Sequence, residues 1–326
     1  MTSTSIRARL ACVLVCLFTL PGAALAQTDY PNKPVRIIVP FTPGGGNDVL
    51  ARIIGAKLTE RWSQPVIVEN KPGAGGNIGV EFAARAAPDG YTWVIGANQL
   101  AMVPWLYPKL PFDVVKDLQP LSLVATTPMV VAVHTGLPIR TVKELIDYTR
   151  ANSGKLAYGT PGNGSPHHLA TEMFLGSTGL TMIHVPYKGA APIWAALISG
   201  EIGVHFGALN SASALAQAGK IRLIAAGTAK RIASMPDLPT VAESGVPDYE
   251  AVIWYALFAS GGTPEDIANR IHAEIVRVLE QPDVRNRLNG QGFEVGTLPP
   301  QALGALLRRD LERWGKVIRT ANIKIQ

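Results

Sequence analysis

Cysteine is nearly absent from this chain, with only two in 326 residues. Both of them, Cys12 and Cys16, lie in an N-terminal segment that we expect to be removed from the mature protein. The mature chain can therefore form no disulfide, and its stability must come from a large apolar core.

Motifs of common enzyme and nucleotide-binding classes are also lacking. The chain contains no G-x-S-x-G, the turn that carries the nucleophile in α/β-hydrolases, and no paired carboxylates stand out. Its three Gly-Lys pairs are not followed by Ser or Thr, so none forms a Walker A loop. Gly73, Gly75 and Gly79 are spaced one residue too widely for a dinucleotide fingerprint. We therefore expect no catalytic residues and favour a binding function.

The six histidines do not have the spacing of a metal site. No H-E-x-x-H occurs, and His168 with Glu172 is the only pair four residues apart. The adjacent His167 and His168 would point about 100° apart on a helix, so they could not easily share one ion. We expect neither a metal ion nor an organic cofactor.

The first 26 residues have the features of a secretory signal peptide. Arg7 and Arg9 precede an apolar stretch at 10–20, and Ala24-Leu-Ala26 is a cleavage site before Gln27. The apolar stretch is too short to span a bilayer. Removing the two arginines lowers the formal charge from +6 to +4. This mild, spread charge suits an anionic ligand and does not indicate nucleic acid. The sequence predicts a periplasmic protein.

Three glycine-rich turns are the most informative feature of the mature chain. The first (residues 40–48), the second (70–77) and the third (159–164) each follow a short apolar strand and open a helix. Glycine allows a tight turn and a close approach to a ligand, and the first N–H groups of a helix attract anions. A single turn of this kind could serve geometry alone. Three of them favour a small-anion site built from backbone groups.

Strands and helices alternate along the mature chain, which predicts an α/β fold with largely parallel sheets. Two apolar stretches, 121–133 and 252–259, are expected to cross between two lobes. Lobe 1 would then be discontinuous, with residues 27–126 plus 255–326, and lobe 2 would contain 127–254. The expected strands are 35–40, 65–69, 92–97, 121–126, 129–134, 155–159, 181–185, 202–206, 221–226 and 252–259. The expected helices are 47–61, 77–86, 141–152, 165–177, 189–199, 210–218, 264–280 and 300–320, with Ser165 and Thr263 as N-caps.

The order of the turns resembles the Bug proteins. The matching segments are Pro40–Asp48, Val68–Asn77, Ala87–Thr92, Tyr107–Asp113, Tyr158–Gly162, Val185–Gly189 and Gly219–Arg222. Bug proteins are the TctC-like periplasmic substrate-binding components of tripartite tricarboxylate transporters. The resemblance implies a two-lobed Venus-flytrap fold with two crossing strands as a hinge. It also implies that a small carboxylate binds in the cleft between the lobes, through loop backbone groups and ordered water.

The glycine turns, the ends of the strands and the resemblance together nominate sixteen ligand-binding residues. They are Phe41, Thr42, Pro43, Gly44, Gly45, Asn47, Gly75, Asn98, Thr160, Gly164, Ser165, His168, Tyr187, Lys188, Gly189 and Asn210. Many Bug relatives have an aspartate near 206–210, whereas this chain has Asn210 and no carboxylate in that stretch. The resemblance therefore implies a purely carboxylic or more apolar ligand rather than an amino acid.

The expected function is that of an extracytoplasmic solute-binding protein, not an enzyme. It would capture a small carboxylate and deliver it, as a monomer, to the membrane components of a tripartite tricarboxylate transporter. One alternative is an exported α/β enzyme acting on a small carboxylate. Another is a sensor partner that presents its ligand to a two-component histidine kinase. Binding without turnover distinguishes the first reading from the enzyme, and partner capture distinguishes it from the sensor.

Overall fold

A computed structural model describes residues 30–107, 109–320 and 323. The expected signal peptide and its cleavage site before Gln27 lie outside the described residues. The strands are β1 (Val35–Val39), β2 (Val66–Asn70), β3 (Thr92–Ala97), β4 (Leu118–His134), β5 (Ala157–Thr160), β6 (Ile183–Pro186), β7 (Val204–Ala208), β8 (Ile221–Ala226), β9 (Val252–Ser260) and β10 (Glu294–Leu298). The helices are α1 (Gly46–Trp62), α2 (Asn77–Ala84), α3 (Gln99–Leu106), α4 (Val142–Ala151), α5 (Pro166–Thr178), α6 (Ala190–Ser199), α7 (Leu209–Gln217), α8 (Glu265–Leu279), α9 (Pro282–Gly290) and α10 (Pro300–Thr320), with a 3₁₀ turn at Ala74–Gly76.

The long strand β4 joins two groups of strands. The strand order is β2-β1-β3-β9-β4-β7-β5-β6, and β8 and β10 also pair with β4. The first part of β4 pairs with β9 and β10, whereas the part from Met129 onward pairs with β7 and β8. The pairs of β1 with β2 and β3, and of β5 with β6 and β7, are parallel. Each described strand that pairs with β4 or β9 is antiparallel to it.

The mixed sheet corrects the expectation of largely parallel pairing. The sequence also predicted two strands, 121–126 and 129–134, where the structure has one continuous β4. Pro128 lies within this strand at the position paired with Val252, where the pairing to β9 ends. A proline is tolerated at such a position because it lacks only one ladder donor.

Helix α3 and strand β10 were missed because their sequences lack a clear period. Most of α3 is buried, and it contains Pro104, so it shows no polar face and looks unlike a helix. Strand β10 is short, contains Gly296 and is only partly buried. The Thr263 cap was also predicted wrongly. Its hydroxyl donates to the Ser260 carbonyl, and Pro264 is the residue that precedes α8.

Apolar side chains that cover both faces of the sheet form the core. In β3, Trp93, Val94 and Ile95 are fully buried, as expected for a strand with helices on both sides. Helix α8 contributes a buried stripe that includes Ile271 and Ile275. This packing holds the ends of the strands, and the helices that follow them, in fixed positions around the site described next.

Candidate functional site

Five helices begin around one cavity. The cavity has a volume of about 50 Å³ and is enclosed by the first turns of α1, α3, α5, α6 and α7 together with strand β9. Its lining residues are Phe41, Thr42, Gly45, Gly46, Asn47, Ala97, Gln99, Pro161, Pro166, His167, Gly189, Ala190, Ala208, Asn210, Ser211, Ile253 and Tyr255. A buried water needs about 10–15 Å³, so the space would hold roughly three to five waters or a small organic molecule.

The backbone of the first glycine turn lies directly beside this cavity. Gly45 is the extended N-cap of α1, and no side chain caps the helix. Gly46 begins the helix beneath the Tyr255 hydroxyl, and a Cβ at Gly46 would lie 2.6 Å from the Tyr255 Cζ atom. Gly44 has φ +91°, a conformation that favours glycine. The N–H groups of the first α1 turn are therefore available for an external acceptor.

Most of the other helices also begin without a side-chain cap. Gly189 precedes α6 and Ala208 precedes α7, and neither helix has a capping side chain. Helix α3 begins after Asn98, whose amide donates to the Val252 carbonyl instead of capping the helix. Helix α5 is the exception: the Ser165 hydroxyl accepts from the His168 N–H, which confirms the predicted cap. Uncapped helix starts around a cavity form an electropositive site without a cationic side chain.

The wall of the cavity is uncharged. None of its described lining residues is Lys, Arg, Asp or Glu. Several lining groups are apolar, including Phe41, Ile253 and Ala208. Three polar atoms of lining side chains have no hydrogen-bond partner among the described residues: Nε2 of Gln99, Nδ1 of His167 and Oδ1 of Asn210. An unpartnered polar group of this kind is costly, and a ligand or water in the cavity would supply the missing partner.

Four neutral histidines support the start of α5. His167 stacks on His205 with ring centroids 5.4 Å apart, and His168 stacks on His184 at 4.2 Å. Burial lowers the pKa of His205 to about 4 and that of His184 to about 4. Burial, assisted by the neighbouring His184, lowers the pKa of His168 to about 3. Burial, assisted by His205, also places the pKa of His167 well below its usual range. All four rings are therefore uncharged at neutral pH.

The sequence model of TctC, the tripartite tricarboxylate transporter family receptor, matches residues 50–323. The chain belongs to the TctC family. Protein BugT of Bordetella pertussis is 32% identical over 307 residues, which is 94% of each chain. A structure of R. palustris Rpa4515 with adipate has a TM-score of 0.87 at 35% identity, covering 90% of this chain and 99% of that one. MatC from Rhodopseudomonas palustris with bound malate has a TM-score of 0.84 at 30% identity, covering 89% and 100%.

The predicted fold class is confirmed by this membership. TctC proteins are solute-binding receptors of the periplasm with a two-lobed α/β fold, and this chain superposes on them over most of its length. No helix in the described part of this TctC chain is long and apolar enough to cross a membrane. Within the same part, no group of three or more His, Cys, Asp or Glu could hold a metal ion.

Six of the sixteen nominated residues line the cavity of this TctC chain: Phe41, Thr42, Gly45, Asn47, Gly189 and Asn210. The Asn47 amide donates to the Ile95 carbonyl (2.8 Å), which ties the first α1 turn to β3. The Thr42 hydroxyl donates to the Lys188 carbonyl (2.8 Å) and closes one side of the cavity. The first glycine turn thus meets the start of α6 directly.

The other ten nominated residues lie outside the lining: Pro43, Gly44, Gly75, Asn98, Thr160, Gly164, Ser165, His168, Tyr187 and Lys188. Several of them have structural partners instead. The Thr160 hydroxyl lies 2.6 Å from His184 Nε2, and His168 Nδ1 accepts from the Gly164 N–H at 3.2 Å. The Tyr187 hydroxyl donates to Glu201. These groups shape the loops around the cavity.

The second glycine turn contributes nothing to the lining of the cavity. It packs on the third turn, since a Cβ at Gly75 would lie 2.5 Å from the Asn163 carbonyl oxygen. The Tyr107 hydroxyl donates to the same oxygen at 3.2 Å. The second turn therefore contacts the third turn rather than the cavity.

Eleven lining residues are not among the sixteen nominated from the sequence: Gly46, Ala97, Gln99, Pro161, Pro166, His167, Ala190, Ala208, Ser211, Ile253 and Tyr255. Gln99, His167 and Ser211 share a signal that could have revealed them, because each lies in the first turn of a helix that follows a strand. Ile253 and Tyr255 alternate on β9 and face the same side. Trp254, between them, faces away, and its Nε1 donates to the buried Asp310 at 2.8 Å.

Proposed function

We propose that this protein captures a small organic carboxylate in the cavity and delivers it to the membrane components of a tripartite tricarboxylate transporter. The observation that carries the proposal is the convergence of five helix starts on one cavity whose described lining has no charged side chain. Each helix N-terminus attracts an anion by roughly 0.3–1 kcal/mol, and by more where water is excluded. Their combined field favours an anion over a neutral or cationic solute.

The size and the walls of the cavity narrow the class of ligand. About 50 Å³ suits a small acid rather than a nucleotide or a peptide. The apolar wall, with Phe41 and Ile253, suits a hydrocarbon segment between polar ends. The structures named with adipate and malate support a carboxylate ligand, because those proteins belong to the same receptor class.

Ligand capture would close two lobes. We propose that lobe 1 contains residues 27–126 and 255–326 and that lobe 2 contains residues 127–254. The change of partners along β4 supports this division, since β9 and β10 pair before Met129 and β7 and β8 pair after it. Two contacts support a closed state as well: Thr42 with Lys188, and Gly75 with Asn163. A ligand held by both lobes binds the closed form best and shifts the population toward it.

The protein would act in the periplasm after cleavage before Gln27, as a monomer and without catalysing a reaction. N-terminal sequencing of the periplasmic protein should begin at or very near Gln27. Copurification with the membrane subunits of a tripartite tricarboxylate transporter would support delivery to a transporter. Capture of a histidine kinase instead would favour the sensor alternative.

Calorimetric titration of the mature chain with a carboxylate panel tests the central proposal. The panel consists of butanedioate, hexanedioate, malate and the matching monocarboxylates. The controls are 1,6-diaminohexane, which is cationic, and hexanol, which is uncharged. A carboxylate at 100 times its Kd should stabilise the fold by about 2.7 kcal/mol. Chromatography after long incubation should return the ligand unchanged. If the diamine binds and every carboxylate fails, or if a product accumulates, the proposal is wrong.

A further inference from the structure

Most of the net charge of the mature chain lies on one face of helix α10. The helix contains five basic and two acidic residues, a formal charge of +3, whereas the whole mature chain has +4. The five cations are all exposed: Arg308, Arg309, Arg313, Lys316 and Arg319. At about 100° per residue they fall within an arc of about 140°. The charge that the sequence indicated as spread along the chain is therefore concentrated on this helix.

The two acidic residues of α10 neutralise little of this face. Asp310 is buried, and its Oδ2 accepts from the Trp254 Nε1 at 2.8 Å. The contact between the Arg309 Nε and the Asp310 Oδ1 is long, at 3.9 Å. Glu312 is exposed and lies within the arc. The five cations and Glu312, here called the α10 face, have a formal charge of +4.

Most cations of the α10 face lack the carboxylate partners that many cations elsewhere on the chain have. The Lys57 Nζ lies 2.9 Å from the Asp283 Oδ2, and the Arg61 Nε lies 2.9 Å from the Glu274 Oε2. Among the described residues, Arg309 is the one cation of the α10 face that has an ion pair. Neighbouring like charges on a helix repel one another, and external carboxylates would offset that repulsion. The face therefore presents four cations to an external anion.

An exposed tryptophan borders the α10 face. Trp105 is 43% exposed, whereas the other five tryptophans are buried or half-buried. Its Nε1 donates to the Leu311 carbonyl at 2.9 Å, and the Arg319 guanidinium lies 4.6 Å from the ring centre. A Cβ at Gly315 would lie 2.5 Å from the ring, so the ring lies directly on the backbone of α10. Trp105 is thus an aromatic surface fixed beside a guanidinium group.

An apolar groove continues from this tryptophan. Its lining includes Pro104, Tyr107, Leu110, Phe112, Val115 and Leu311. The two carboxylates in the lining, Asp113 and Asp117, accept from N–H groups of their own loop. Protein interfaces combine an apolar centre with a polar rim, and they are enriched in Arg and Trp and depleted in Lys. The α10 face, Trp105 and the groove together have this composition.

We propose that the α10 face and Trp105 dock an acidic segment of a partner protein. This inference rests on the proposed function for the identity of that partner, which is the membrane component of the transporter. Four of the five cations are arginines, whose planar guanidinium groups pair with carboxylates through two parallel hydrogen bonds. None of the described residues that line the ligand cavity belongs to α10, so docking and ligand capture use separate surfaces.

Two other occupants fit the same face less well. The apolar side of α10 is buried in the core through Leu307, Trp314 and Ile318, so the helix has no apolar face to insert into a lipid bilayer. A second copy of this chain would place one basic face against another, and like charges that meet across an interface cost affinity. A partner that presents carboxylates meets neither difficulty.

Two peptides and two kinds of vesicle test which chemistry the α10 face recognises. The peptides are a short glutamate-rich peptide and the same peptide with glutamine in place of glutamate, and the vesicles are of phosphatidylglycerol or phosphatidylcholine. The glutamate peptide should bind and the glutamine peptide should not. Binding should weaken about tenfold between about 0.01 and 0.1 M salt, as the Debye length falls from about 30 to about 10 Å. Acrylamide quenching of the exposed Trp105 should decrease as the peptide binds.

Matched charge reversals make the test specific to α10. Arg308→Glu combined with Lys316→Glu reverses two exposed cations of the α10 face. Arg285→Glu combined with Arg287→Glu makes the same change of net charge at exposed positions of α9 and is the control. The α10 variant should weaken binding of the glutamate peptide about tenfold or more, and the control should change it less than about twofold. Melting temperatures of the variants verify folding.

Retention on nanodiscs that contain the membrane subunits of the transporter tests the partner itself. The wild-type protein and the α9 control should be retained, and the α10 variant should not. All three should bind the carboxylate panel equally, because the reversed residues do not line the cavity.

The outcomes separate this inference from the proposed function. If the α10 variant is retained as well as the control, the α10 face is not the docking surface, although the proposed function stands. If phosphatidylglycerol vesicles bind and the glutamate peptide does not, the face recognises lipid and the inference is wrong. If the wild-type protein is not retained, both the partner and delivery to a transporter are wrong. If no carboxylate binds, ligand capture fails on its own, and the peptide and nanodisc results still decide the docking surface.

Discussion

The first and second glycine turns are similar in sequence but lie in different surroundings. Both follow an apolar strand and lead into a helix, and both contain Gly-Gly-Asn. The first turn lines the cavity through Gly45, which has nothing within 4 Å of its Cβ direction. The second turn packs Gly75 against the Asn163 carbonyl of the third turn. Glycine therefore leaves room for a ligand in one turn and for another loop in the other.

A variant at Gly45 gives the strongest test of this difference between the two turns. The Gly45 φ of −83° is accessible to any residue, so a valine there would strain the backbone little and would add bulk at a residue that lines the cavity. We expect Gly45→Val to weaken carboxylate binding about 100-fold, which is about 2.7 kcal/mol, with little change in melting temperature. Gly44→Ala is the control: it strains a backbone with φ +91° but fills open space outside the lining. Calorimetric titration of both variants measures the difference, and equal losses would remove the distinction.

Low pH should lower the free energy of unfolding by destabilising the third turn. This is the turn on which the second turn packs. The folded pKa of His205 is about 4, below its ordinary value of 6.5, so the unfolded chain takes up the proton first as the pH falls. The stabilisation is complete above about pH 6.5 and is lost as the pH falls toward 4. His205 alone should cost on the order of 2 kcal/mol at pH 5 relative to pH 7. Urea unfolding at several pH values measures this, and His205→Gln should flatten the dependence.

Disrupting the contact between the second and third turns should affect closure of the lobes without changing a residue that lines the cavity. A Cβ at Gly75 would overlap the Asn163 carbonyl, and its φ is +66°. We expect Gly75→Ala to weaken binding about tenfold, or 1.4 kcal/mol, and to reduce the ligand-induced decrease in radius of gyration in small-angle scattering. Gly154→Ala is a matched control, since Gly154 has φ +69° and nothing within 4 Å. An equal effect of both variants would mean that backbone strain alone explains the loss.

The smallest expected effect concerns the cap of the third turn. Ser165 accepts from the His168 N–H at 3.3 Å, and α5 is the one helix around the cavity whose described start has a side-chain cap. Ser165→Ala should lower the free energy of unfolding by about 1 kcal/mol. Ser165→Asn should recover most of it, because Asn also caps well. Affinity should change less than stability, and the opposite result would place the hydroxyl in contact with the ligand.

Several features of the structure could be predicted from the sequence because they depend on residues that are close together in the chain. The strand–turn–helix alternation, the Ser165 cap and the family motifs depend on neighbours within a few residues, and the structure agrees with them. Helix α3 and the continuity of β4 could not be predicted from local sequence. Burial on all sides removes the polar face that identifies a helix, and Pro128 within β4 imitates the end of a strand.

The sequence by itself determined the fold class, the receptor family and the position of the first glycine turn at a helix start. Only the tertiary structure decided which helix starts meet around one cavity, and so separated Gly45 from Gly75. It also revealed Gln99, His167 and Asn210 as a group, because they are up to 111 positions apart in the chain and nothing local connects them. Unpaired polar atoms can be recognised only when every partner in space is known, and that information lies in the packing.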